Sequence, residues 1–152
     1  MQDAFGGVAN IVLIALFLII AEGILGMAVN YTKAFKMKNL VISNFERYET
    51  AGCFNTSGSC YQAITDGAKR LGYSPSNLTC PQNTSDLEYH LMAGVYCYAK
   101  ITPSNEKLNE NKKASYRIVT QVDFHLPIIS QMFQWEAFQV KGDTRIISIE
   151  KR

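Results

Sequence analysis

Charge is scarce in this sequence. Its 152 residues carry 15 Lys+Arg against 13 Asp+Glu, a net charge of only +2, and charged side chains make up 18% of the chain, below the ~25% of typical soluble domains. So even a balance excludes the basic surface that a nucleic-acid backbone requires, and an apolar fraction of 47% excludes wholesale disorder. Proline is also rare, with four residues in all and none before Pro75. Nothing in the first half of the chain therefore forces a helix to end. Catalytic signatures are missing as well: there is no Gly-rich phosphate loop, no HExxH and no EF-hand pattern. The two histidines, His90 and His125, lie on strand candidates with no nucleophile and oriented partner beside them. Neither an enzyme nor a bound cofactor or metal is expected.

What the chain has is a lopsided distribution of apolar residues, hidden by a mean hydropathy near zero. Val8 to Val29 reads VANIVLIALFLIIAEGILGMAV, whose only strongly polar members are Asn10 and Glu22. At about 1.5 Å per residue this run covers the ~30 Å of a bilayer core. A cleaved signal peptide usually has a shorter apolar stretch behind a basic n-region. Only Gln2 and Asp3 precede Ala4 here, and Ala21-Glu22-Gly23, which could pass as a cleavage site, lies inside the apolar run. The segment is expected to be retained as a membrane helix.

That helix does not stop at Val29. Met27, Tyr31, Phe35, Val41, Ile42, Phe45 and Tyr48 recur at roughly helical spacing with a gap at Lys38, while Lys33, Lys36, Asn39, Asn44, Glu46 and Arg47 fill the other faces. The pattern predicts one rod from about Asp3 to Glu49, roughly 70 Å long. Its alternative is two helices broken near Gly23-Ile24-Leu25-Gly26, because each glycine costs about 1 kcal/mol relative to Ala. Glu22 needs a reason, since a carboxylate near the apolar centre costs ~2.5–3.5 kcal/mol and usually faces a partner or a cavity. Ala21, Gly23, Gly26 and Ala28 beside it are small residues of the kind that let helices approach closely. A Glu22 that simply reaches interfacial water is the bland alternative.

Lys33, Lys36 and Lys38 follow the apolar run, and the positive-inside rule alone would put the rest of the chain in the cytoplasm. Cys53, Cys60, Cys80 and Cys97 argue the other way. They form an even set with no zinc-site spacing, which suits two disulfides in an oxidising compartment. Sequence neighbours suggest Cys53–Cys60 and Cys80–Cys97, with three pairings open in principle and free buried thiols as the alternative. N-x-S/T triplets at Asn30, Asn55, Asn77 and Asn83 also suit an external domain, glycosylated or not. The lysines have a second use, as solvated or packing stems on an amphipathic helix. The cysteines decide the expected topology.

Three segments follow: residues 1–29 as the hydrophobic helix, 30–50 as its amphipathic continuation, and 51–152 as an external head. Thr50–Ser59 reads as a loop. Ser59 is expected to cap a short helix with Tyr61, Ile64, Ala68 and Leu71 on one face and Gly72 at its stop. Residues 73–86, with Pro75 and Pro81, make an exposed, stapled excursion. Thereafter the period changes to two: LMAGVYCYAKI and SYRIVTQVDF read as half-buried strands, and MFQWEAFQV and TRIISIE as a third pair linked by Lys141-Gly142-Asp143. Tyr89, Tyr96 and Tyr98 cluster on one strand, either as an exposed aromatic face or, more commonly, as cross-strand packing. The fold class is α+β, a long helix whose stripe covers a small antiparallel sheet.

This layout resembles the type IV pilins. YRIVTQVDFHLPIISQMFQWEAFQVKGDTRII looks like the closing strands of TadE-like pseudopilins and related short pilin-like proteins of Gram-positive bacteria, where a V-x-V-x-Y/F strand precedes an "lp-ii/l" turn and a last strand with a basic residue. The resemblance implies a filament subunit, held in the membrane before assembly and then joined to copies of itself by a pilus- or secretion-type machine. Phe5 stands where those helices carry a carboxylate, which leaves Asp3 and Glu22 as the acidic residues available to register neighbouring subunits. A second expectation, from a different class, is a single-pass anchored glycoprotein or binding module that does not polymerise.

Overall fold

The computed structural model describes residues 2–75, 77–101, 113–122 and 138–148, with backbone course alone for residues 2–6 and 148. A single helix, α1 (Gln2–Arg47), runs unbroken for 46 residues, through Gly23 and Gly26 alike. At 1.5 Å per residue it is about 70 Å long. It ends where Glu49 and Thr50 turn left-handed, at φ 47° and 64°, and the Thr50 amide reaches back to the Phe45 carbonyl at 3.1 Å.

A second helix, α2 (Ser59–Leu71), returns along α1. Its N-cap is Gly58, so Ser59 is its first helical residue and not the cap expected from the sequence; no side chain caps this end. Gly72 closes it in the left-handed region at φ 59°, a conformation glycine adopts without steric cost. Cys60, Ile64 and Ala68 face inward, and Tyr61 and Leu71 are half-buried beside them.

The sheet is a meander of β1 (Tyr89–Met92), β2 (Tyr96–Ile101), β3 (Lys113–Val122) and β4 (Phe138–Asp143), with β5 (Ile147–Ser148) also on β3. Two expectations are corrected here. LMAGVYCYAKI is a hairpin rather than one strand: Ala93 and Gly94 both turn left-handed, at φ 54° and 66°, the geometry of tight hairpin turns that follow the sheet's twist. Lys141–Asp143 is strand rather than a linker, and β4 and β5 do not pair with each other. Both run along the same edge of β3, where Asp143 opposes Arg117 and Ile147 opposes Ala114. Three residues there face two, which makes a β-bulge. Thr144 holds it, with its amide donating to the Tyr116 carbonyl and its hydroxyl accepting from the Tyr116 amide, both at 2.9 Å. The bulge frees the Arg145 amide to donate to Glu46 of α1 at 2.9 Å. Residues 123–137 lie outside the described residues, among them His125 and the middle of the segment that carries the pilin resemblance.

The core lies between α1 and the sheet, where Ala34, Met37, Val41 and Phe45 meet Tyr96, Tyr116, Ile118 and Val122. This corrects the stripe read from the sequence. Met27, Tyr31 and Phe35 are exposed, and the buried face is rotated onto Ala34 and Met37. Small residues set the closeness of the layers. Thr120 donates from its hydroxyl to the Ala34 carbonyl at 3.0 Å, and a Cβ on Gly142 would lie 2.8 Å from Lys38 Cδ. Phe45 is the hub, with its ring centroid 5.6–6.2 Å from those of Phe54, Tyr96, Tyr98 and Tyr116.

The sheet's other face carries Cys97, Val119 and Gln121, and the 73–86 excursion covers it. The Cys80–Cys97 disulfide joins that excursion to β2. Gln121 holds it as well: the side-chain amide donates to the Asn77 carbonyl at 3.0 Å and its oxygen accepts from the Thr79 amide at 3.2 Å. The Tyr73 hydroxyl donates to the Gln121 carbonyl at 2.8 Å and accepts from its amide at 2.9 Å. Both faces of the sheet are thus covered, which is why β2 and β3 bury residues on alternate sides.

Candidate functional site

The surface that most needs an explanation is the uncovered half of α1. From Gly7 to Val29 nearly every side chain is exposed, including Ile11, Leu13, Phe17, Ile24 and Leu25. The same residues pass the length and hydropathy test for crossing a membrane, and among the described residues no other helix does. A helix apolar all round is stable only in surroundings that are apolar all round. Among the described residues the head meets the helix beyond this run, near Asn30 and Lys33, where Lys33 Nζ donates to the Gly72 carbonyl at 3.4 Å.

The exposed apolar surface also outruns the span. Met27, Tyr31 and Phe35 continue it, one helical turn apart, alongside the head domain. Tyr31 and Phe35 stack at 6.4 Å, and Lys38 Nζ lies 4.1 Å from the centroid of the Phe35 ring, over its face, a cation–π contact. The sequence put these residues on the packing stripe; only the helix's rotation shows that they form a free ridge.

Glu22 is exposed within the uncovered half and forms no ion pair with any described residue. A Cβ added to Gly26, one turn away, would meet nothing within 4 Å. The head therefore gives no reason for a glycine that costs the helix about 1 kcal/mol. Gly23, by contrast, is buried. The Asp3 side chain lies outside the described residues.

The remaining predicted residues sit in the head. Cys53–Cys60 and Cys80–Cys97 are both disulfides, with Cα separations of 4.7 and 5.6 Å, and join sequence neighbours. Asn55, Asn77 and Asn83 are exposed on loops. Two of them do local work: Asn55 Oδ1 accepts from the Ser57 amide at 3.1 Å, and Asn83 Oδ1 accepts from the Tyr89 amide at 2.8 Å. Asn30 lies within α1, half-buried beside Lys33 and Tyr73.

Electrostatically the head is quiet. Burial pushes the Tyr96, Tyr98 and Tyr116 hydroxyls above the ordinary tyrosine range, so they stay protonated near neutral pH. Asp143 is held below the usual carboxylate range by its two hydrogen bonds from Arg117, at 2.7 and 2.8 Å. That pair clamps β3 to β4. Among the described residues no cluster of His, Cys, Asp and Glu could hold a metal ion. The chain matches no protein-family model, no curated protein and no solved structure.

Proposed function

We propose that the protein is a structural subunit of an extracellular, type IV pilus-like filament that polymerises through α1. It is held in the cell membrane with its head outside, then transferred by pilus- or secretion-type machinery into a bundle of sister helices. The observation that carries this reading is the apolar surface of α1, which continues from Met27 past the end of the membrane-length run to the exposed Tyr31 and Phe35. A simple anchor needs apolar residues only as far as the bilayer reaches. A polymer core needs them wherever neighbours pack, and the same side chains serve lipid before assembly and sister helices after it. A head-to-tail contact repeated without closure generates a helical filament.

Gly26 supports close approach of a neighbouring helix, and Glu22 in this setting pairs with a basic group or free amine of the adjoining subunit. The two disulfides suit a head that works outside the cytoplasm. Negative-stain microscopy of material sheared from the cell surface tests the reading. Filaments containing this chain are expected, and Glu22→Ala should reduce them at least tenfold while the protein still reaches the membrane. Absence of filaments, with Glu22→Ala expressed as well as the parent or better, leaves a tethered ectodomain instead.

A further inference from the structure

A groove of about 720 Å³ opens at the end of the head far from the membrane segment. Its inner wall is aromatic. Phe54 packs on Tyr98 with ring centroids 4.9 Å apart and planes 36° from parallel, and lies 5.8 Å from Tyr116. His90 continues the surface at 5.4 Å from Tyr98. The rest of the lining is largely polar: the Asn83–Glu88 stretch supplies amide, hydroxyl and carboxylate groups, and Lys100 lines the same groove. Phe54 is 42% exposed, a large apolar ring displayed on a short loop rather than withdrawn into the core.

The groove is formed before any ligand arrives. One disulfide closes the loop bearing Phe54, and the other brackets the polar wall. That wall is further fixed by the Thr84–Leu87 backbone pair and by the bond between Asn83 and the Tyr89 amide. Such preorganisation lowers the ordering cost of binding. Its volume falls in the roughly 300–1,000 Å³ range of small-molecule sites.

The chemistry of the lining selects the ligand. Asp86, Glu88 and Lys100 line the same groove, and Glu88 lies 3.9 Å from His90. Both signs are present at close range, so no single-sign field is available to hold a polyanion or a polycation. Flat ring faces attract the weakly positive C–H groups of an apolar surface, while carboxylates, amides and an ammonium bond to hydroxyls along its edges. A ligand with C–H faces and hydroxyl edges satisfies both walls together. We propose that this groove is a binding site for a neutral saccharide, stacked on Phe54 and Tyr98 and hydrogen-bonded by Asp86, Glu88 and Lys100. The Phe45 ring beneath it lies 16 residues beyond Val29, about 24 Å along the helix. The site therefore faces outward whether the head is tethered or polymerised, and it does not depend on the filament reading.

The full chain in detergent micelles, screened on an array of neutral oligosaccharides and then titrated calorimetrically with maltotriose and N,N′,N″-triacetylchitotriose, tests this. Saturable binding of at least one neutral oligosaccharide is expected, weakened at least tenfold by Phe54→Ala and by Asp86→Asn, and restored by Phe54→Trp. Lys69→Ala, on the exposed side of α2, should leave it unchanged. Should a thermal melt show that Phe54→Ala unfolds the head, Asp86→Asn on its exposed turn decides alone. Three results overturn the assignment: no neutral saccharide binds, binding survives both groove variants, or choline competes as well as the sugar, which marks a cation site.

Discussion

Phe17 and Phe45 stand on the same helix, yet Phe17 is 68% exposed and Phe45 is fully buried. Nothing in their local backbone separates them. The difference lies in what the rest of the chain supplies: the head lies against the helix from about residue 30 onward, and no residue of the core cluster falls within 7–29. Polar residues interrupt the covered half where it meets water or the rim of the head, whereas the uncovered half is apolar all round, as suits a solvent other than water. Two stretches of one helix are thus adapted to two environments, and only one of them contributes to the stability of the head.

The sharpest way to break that contrast is to truncate both rings. Phe45→Ala should destabilise the head by about 3–5 kcal/mol through lost burial and the cavity left among four aromatic neighbours. Phe17→Ala should shift the same denaturant midpoint by less than about 0.5 kcal/mol. Equal effects would mean that the uncovered half packs on its own head. Next in size, replacing Cys80 and Cys97 together by Ser should cost about 3 kcal/mol, from the entropy of the loop the bridge closes. Circular dichroism of that variant in micelles, taken at a temperature where its head has melted, should still show the helical signal of the uncovered half, since lipid-like surroundings and not the head maintain it.

The smallest effect concerns pH and again belongs to the head alone. Asp143 has a folded pKa below its unfolded value, because Arg117 hydrogen-bonds the charged form. Its contribution is therefore present above the unfolded carboxylate pKa and disappears as pH falls through the lower folded one. The Asp143 side chain is 44% exposed, so solvent screening limits this to under about 1 kcal/mol. Asp143→Asn should lower stability slightly at neutral pH and flatten its acid limb, read by unfolding at pH 7 and pH 3.

The long helix was legible because a proline-free apolar run followed by periodic residues admits few other structures. Both disulfides followed from sequence proximity. The rotation of the helix was not legible: Met27–Tyr31–Phe35 and Ala34–Met37–Val41–Phe45 both recur at helical spacings of three or four residues, and apolarity alone favours the larger side chains. Ala34 is inside because Thr120 must reach its carbonyl, a fact about the sheet. The hairpin at Ala93-Gly94 was hidden by a non-glycine residue in the left-handed region. The bulge at Thr144 has no signal in hydropathy at all. Phe54 looked like an unremarkable loop residue, and only the strands beneath it make it one wall of a groove.

Thr120 grips the helix at Ala34, and Arg145, freed by the bulge, grips it at Glu46. These two anchor points are 12 residues apart, about 18 Å along the axis. A tug on the greasy end must therefore shear both attachments and the side chains between them at once, with no single bond to unzip first. Rod and head are therefore joined as a crank to its arm, so that a tilt of the covered half of the helix carries the head with it.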